Sequence, residues 1–93
     1  MNIVEIDQED VEPIEAQCIH SDLIVTLARG QRIMTPLWWF PRLLRATPEQ
    51  RAKYELSPFG VHWEEIDEDI NIEGMLMGAK GPGAVPPQNE AAE

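Results

Sequence analysis

Hydrophobic and polar positions along this chain change period several times, and each change marks an element. From Ile14 the period is two, with Ala16, Cys18 and His20 on one face and Gln17 and Ile19 on the other. Ser21-Asp22 reads as a turn. Leu23, Val25 and Leu27 then alternate with Ile24, Thr26 and Ala28 in a run rich in β-branched residues. Arg29-Gly30 supplies a glycine able to take positive φ in a tight hairpin. Gln31 to Thr35 follows as a third strand, which Pro36 ends. The pattern predicts a three-stranded antiparallel meander.

Beyond Pro36 the period lengthens. Leu37, Phe40 and Leu44 recur at helical spacing, predicting a short helix or turn with Pro41 in its first turn. Thr47 is an N-cap: Pro48 takes the first helical position and Gln50, three residues on, completes a capping box. That second helix is expected to end near Tyr54. Leu56, Phe59, Val61 and Trp63 predict a return strand interrupted by Ser57-Pro58 and Gly60. The acidic stretch from Glu64 to Asp69 reads as a loop or helical turn, and Ile70, Ile72, Met75 and Leu76 as a short element closing the core. The expected class is therefore α+β: a meander, then short helices and a return strand.

Both ends are poor in core candidates. Residues 1–13 are acidic, alternate weakly at Ile3 and Ile6, and read as an arm or an edge strand, since Pro13 argues against a central one. Residues 14–77 form the expected compact domain. Residues 78–93, rich in Gly, Pro and Ala, offer too little apolar surface to offset ordering and are expected to be a disordered tail.

With 93 residues there is room for one modest core. The single cysteine, Cys18, excludes an intramolecular disulfide. No apolar run is long enough to span a bilayer, and the N-terminus lacks the regions of a signal peptide. A soluble, cytoplasmic protein is expected. The formal net charge of −10 argues against nucleic acid as a ligand. Yet six of the seven bases (Arg29, Arg32, Arg42, Arg45, Arg51 and Lys53) fall in one central block flanked by acids. Three readings follow: loosely paired surface charges, a basic face between acidic flanks, or an acidic face for a basic partner.

Motifs for chemistry are absent or incomplete. Asp67, Asp69 and Asn71 alternate as in the first half of a calcium loop, but Ile72 and Gly78 stand where the turn glycine and the bidentate glutamate are needed. Cys18, His20 and His62 lack the short, regular spacing of a zinc site. Ser21, Ser57 and Cys18 have no base and orienting group in a recognisable motif, and Gly78-Ala-Lys-Gly-Pro-Gly83 lacks the strand and helix that frame a phosphate loop. No catalytic, metal or cofactor site is assigned, and the protein is expected not to be an enzyme. Trp38-Trp39-Phe40 stands apart. Three adjacent large aromatics cannot all face one core, so at least one is expected to be partly exposed, either as an interface residue or as cover for a strand edge. Arg42 and Arg45 are spaced to share a helix face and to pair with Asp67 or Asp69.

The order of these motifs carries a resemblance: the meander with its hairpin glycine, then Pro36-Leu-Trp-Trp-Phe-Pro-Arg-Leu43, Ala46-Thr-Pro-Glu-Gln-Arg51, Gly60-Val-His-Trp63 and Ile66-Asp-Glu-Asp-Ile70. It resembles the small bacterial family known as Domain of Unknown Function 2442, over roughly residues 14 to 77. The resemblance implies a compact α+β domain with a curved antiparallel sheet. It also implies a frequent setting beside a second small reading frame, in pairs suspected to be toxin–antitoxin modules. Some relatives carry a helix-turn-helix domain, and nothing after Leu76 is expected to form one. The hairpin reads Ala28-Arg-Gly30, where the family often has an acid before the glycine. No catalytic residue is established for the family, so none is carried over.

The expected function is a small, non-catalytic protein-interaction module, an antitoxin-like partner in a two-gene pair. The rival is a nucleic-acid-associated transcriptional regulator using the central basic block. Candidate interaction residues are Trp38, Trp39 and Arg42, with Glu64, Glu65, Asp67, Glu68 and Asp69 as electrostatic guides. The expected partner is a small basic protein from an adjacent gene, with a homodimer as the alternative; neither a membrane nor a cofactor is expected.

Overall fold

A computed structural model describes residues 11–87. Most of the N-terminal arm, and residues 88–93 of the tail, lie outside the described residues. The chain forms two small antiparallel sheets joined by short helices, an α+β arrangement. In the first sheet β1 (Pro13–Ile19), β2 (Asp22–Leu27) and β3 (Arg32–Pro36) lie in the order β1-β2-β3, which is the expected meander. Its register pairs Cys18 with Leu23 and Leu23 with Thr35, so Ala16, Leu23, Val25, Leu27 and Thr35 are buried on one face. Gln17, Ile24 and Met34 share the other face, where Met34 is 63% exposed.

Turn chemistry sets that register. Ala28, Arg29 and Gly30 close the second hairpin; the Gly30 N–H donates to the Leu27 carbonyl at 2.9 Å, and Gly30 takes φ 99°. The first hairpin turns on His20 at φ 56°. His20 was expected on the face of Ala16 and Cys18; it is instead an exposed turn residue, since Ile19 already pairs with Asp22 and no strand position is left for it.

After Pro36 comes a 3-10 turn (Leu37–Trp39), then α1 (Pro41–Leu44) and α2 (Pro48–Ala52). The sequence placed Leu44 on the buried stripe; Leu43 holds that place, fully buried, while Leu44 is exposed. Phe40, at φ −128° and ψ 87°, breaks the helix between the turn and α1 and shifts the phase by one residue. Helix α2 begins as expected. The Thr47 side chain accepts from the Gln50 N–H at 3.1 Å, and the Gln50 side chain accepts from the Thr47 N–H at 2.9 Å.

The second sheet contains β4 (Glu55–Leu56), β5 (Gly60–Trp63) and β6 (Glu68–Asn71), in that order. Here the single interrupted strand expected from Leu56 to Trp63 is a hairpin. The Ser57 hydroxyl accepts from the N–H groups of Phe59 and Gly60, at 3.3 and 3.1 Å, and turns the chain back on itself. The acidic stretch is a loop only as far as Asp67, because residues 68–71 pair with β5. Helix α3 (Ile72–Met77) closes the fold. The Asn71 side chain caps its start, and Gly78, at φ 84°, ends it in a Schellman pair: Gly78 N–H to Met75 O at 3.1 Å and Ala79 N–H to Gly74 O at 2.8 Å.

The core lies where the two sheets and the helices meet. Val61, Trp63, Ile70, Ile72 and Met75 pack with the inner face of the meander and with Leu37, Phe40 and Leu43. Among the described residues no helix is long and apolar enough to cross a membrane.

Two substitutions test the packing. A Cβ on Gly60 would collide with the backbone carbonyl of Ile70, so Gly60→Ala is expected to cost about 2–3 kcal/mol in urea unfolding. Gly74→Ala meets only ordinary contacts and should stabilise the chain by about 0.5–1 kcal/mol. The Thr35 hydroxyl is buried with no hydrogen-bond partner among the described residues. Thr35→Val is therefore expected to raise stability by about 1 kcal/mol in the same assay.

Candidate interaction site

Three adjacent aromatics follow β3, and the structure separates them as steric reasoning requires. Phe40 is buried in the core, while Trp38 and Trp39 are half-buried. The rings meet edge to face, Trp38 with Trp39 at 6.4 Å and Trp39 with Phe40 at 6.3 Å. The chain beyond α3 returns over Trp39. The Gly81 N–H donates to the Trp39 carbonyl at 2.8 Å, and the Lys80 ammonium sits 4.4 Å from the centre of the Trp39 ring. Gly81 also lies close against Pro41. The stretch read as a disordered tail from residue 78 thus makes specific contacts as far as Ala84, whose N–H bonds Gly81 O at 3.2 Å. Backbone hydrogen bonds and one cation–π contact do there what apolar side chains do not.

Helix α1 aims Arg42 at the acidic turn. Its guanidinium donates to the Asp67 carbonyl at 2.6 Å and lies 3.5 Å from the Asp67 carboxylate and 3.4 Å from that of Glu68. The expected pairing of Arg42 with Asp67 is present, whereas Arg45 is simply exposed. Strand periodicity divides the acids. Glu68 and Ile70 point inward, and Asp69 and Asn71 outward. Glu68, counted among the electrostatic guides, is only 7% exposed at its side chain, so it serves Arg42 and not a partner. Asp67 and Asp69 are 91% and 81% exposed. Glu64 meets the His62 ring at 3.2 Å, whose other nitrogen lies 4.0 Å from the Asp69 carboxylate, and Glu65 meets Lys53 at 3.6 Å.

Arg42, Asp67, Glu68 and Asp69 converge on one groove of about 360 Å³. Its apolar lining comes from Phe40, Ile70 and Met75, and the opposite wall is the segment from Ala79 to Pro82. Trp38, Glu64 and Glu65 do not line it. Sequence reasoning missed Phe40, Met75 and the Ala79–Pro82 wall; the one available signal was a glycine at 81, which lets the backbone approach Pro41 closely. Among the described residues no three His, Cys, Asp or Glu side chains are grouped to hold a metal ion. Burial pushes the Cys18 thiol above its ordinary value, against the pull of Arg51, so it stands as a neutral thiol.

Burial also raises the Glu68 carboxyl above its ordinary value. Arg42 opposes the rise, Asp69 and Asp67 add to it, and the Asp69 N–H, hydrogen-bonded to the carboxylate, works against it. An acid with a raised folded pKa takes up its proton more readily in the native state. Its contribution is therefore fully favourable below the unfolded value, near 4.5, and is lost as pH rises through the folded one. Wild type is expected to gain stability relative to Glu68→Gln as pH falls from 7 to 4.5, read from paired urea unfolding curves. The difference should steepen in an Arg42→Ala background; a flat difference would place Glu68 in water.

Comparison with known proteins agrees with this architecture. An uncharacterised protein from Chromobacterium violaceum, solved by NMR in solution, is 26% identical with a TM-score of 0.66, the match covering 77% of this chain and 70% of that one. A crystal structure of a protein of unknown function from Rhodospirillum rubrum is likewise 26% identical at a TM-score of 0.66, covering 78% of this chain and 93% of that one. No curated protein matches the chain. Residues 10–81 match the family described as Protein of unknown function (DUF2442), and the chain belongs to that family.

Proposed function

We propose that this protein is a small, non-catalytic interaction module that presents the acidic turn before β6 to a basic protein partner. One observation carries the reading. Asp67 and Asp69 stand 91% and 81% exposed on either side of Glu68, which is folded inward onto Arg42. The turn is held at both ends, by the β5–β6 ladder and by the guanidinium, so its outward charges are fixed before any partner arrives. Preorganised charge favours fast, selective encounter with an opposite surface. The half-buried Trp38 offers an aromatic contact.

Within this reading the partner is the basic product of a neighbouring gene in a bacterial cytoplasm, and the chain is its neutralising, antitoxin-like half. The rival reading, a nucleic-acid regulator built on the central bases, draws less support from the geometry. Arg42 is committed to Asp67 and Glu68, Arg51 donates to Leu43 O and Leu44 O, and Lys53 faces Glu65.

The test is co-expression with the neighbouring gene product, followed by calorimetry of the pair at two salt concentrations. The expected outcome is an affinity that falls with salt and weakens about tenfold or more in Asp67→Lys/Asp69→Lys. A pair whose affinity ignores both salt and the double substitution, or a chain that retards duplex DNA at low salt, would overturn the reading.

A further inference from the structure

Strand β6 is the last strand of its sheet, and the groove runs along its open side. All five residues from Asp67 to Asn71 line that groove. Residues of both faces reach it together, so it is the strand's edge that forms the wall.

The hydrogen-bond phase shows what this edge offers. The Ile72 N–H donates to the Phe59 carbonyl at 2.9 Å, one step beyond the Gly60–Asn71 pair. Hydrogen-bonded pairs alternate in an antiparallel ladder, so Ile70 and Glu68 turn their backbone groups toward β5. Asp69 and Asn71 turn theirs outward, whereas Asp67 closes the turn, its N–H donating to the Glu64 carbonyl at 3.2 Å. The Asp67 carbonyl is already covered by Arg42. The Asp69 carbonyl and the Asn71 N–H have no partner among the described residues. They form an acceptor and a donor two residues apart, the spacing at which an added strand docks.

We infer that this groove binds a short extended segment of a basic partner, added to the edge of β6, with basic side chains against Asp67 and Asp69 and alternate apolar ones against Phe40 and Met75. The inference rests on the proposed module and names how that module holds its partner. Charge selects the occupant. Residues 1–10 of this chain hold four acids and no base, and residues 88–93 hold two acids and no base, so neither complements the groove. A second copy pairing β6 against β6 would bring Asp69 beside its own counterpart, a like-charge contact. A basic extended segment meets the carboxylates and the backbone together. The open edge is four residues long, about 13 Å at 3.3 Å per residue, so the docked segment is of similar length.

The probe is a blocked eight-residue peptide alternating arginine and valine, titrated into the full chain and followed by amide NMR. Shifts are expected to concentrate on Asp69, Ile70, Asn71 and Gly81. Affinity should fall about tenfold or more when the peptide backbone is N-methylated, when the same residues are rearranged as an arginine block and a valine block, or in Asp69→Lys. An alternating glutamate–valine peptide should give no shifts. Equal binding of the block peptide, shifts centred elsewhere, or none at millimolar peptide would overturn the site. So would broadening of the β6 amides with protein concentration alone, which would make a second copy the occupant. A gene-neighbour partner that binds Asp69→Lys as well as wild type ends the groove assignment but leaves the module reading standing. Peptide binding in the groove without any such partner does the reverse.

Discussion

The Trp63 indole N–H is the bond on which the join between the two halves of the fold depends. Trp63 is almost wholly buried, and its one polar atom donates to the Arg51 carbonyl at 3.1 Å. A buried indole without an acceptor would carry a large desolvation penalty, so α2 must lie where its carbonyl can reach. Arg51 passes the constraint on. Its guanidinium donates to Leu43 O at 3.1 Å, which also accepts from the Ala46 N–H at 3.2 Å, and to Leu44 O at 2.7 Å, at the end of α1. One side chain of the second sheet, one cation and three carbonyls thus fix α1 and α2 against β5. Tyr54 completes the arrangement, its ring centre 6.3 Å from that of Trp63.

Because α1 is fixed in this way, Arg42 has a defined reach. Its position is what holds the acidic turn against β6, where the register with β5 turns Glu68 inward and leaves Asp67 and Asp69 in water. The groove is accordingly a by-product of core packing. Its apolar lining is core, its charged rim is the β5–β6 turn, and its far wall is the segment laid over Trp39 by Lys80 and Gly81. Asp67 adds a local tension, since φ 56° is a conformation more comfortable for glycine than for aspartate.

Legibility followed the range of the interactions. The meander and the start of α2 could be read because alternation, a hairpin glycine and the Thr47–Pro48–Gln50 signature are local signals. Leu44 was misassigned in place of Leu43 because the break at Phe40 is a backbone event with no residue-type signature. The Ser57–Gly60 turn reads in the sequence as an interruption, since a hydroxyl bonding two N–H groups looks the same there as a flawed strand. Glu68 was grouped with its acidic neighbours because its inward direction follows from a register set by β5. The Ala79–Pro82 wall was hidden for the same reason: its contacts are to a carbonyl and a ring forty residues earlier.

The strand orders β1-β2-β3 and β4-β5-β6 have a kinetic meaning as well. Every pairing joins strands adjacent in the chain, through loops of two to four residues, so little loop-closure entropy opposes either sheet. Each meander can therefore assemble from its own segment as the ribosome releases it. The slower event left is docking, when Trp63 meets the inner face of a sheet already formed from residues 13–36. Such a topology leaves that single docking event as the only step that must join distant parts of the described chain.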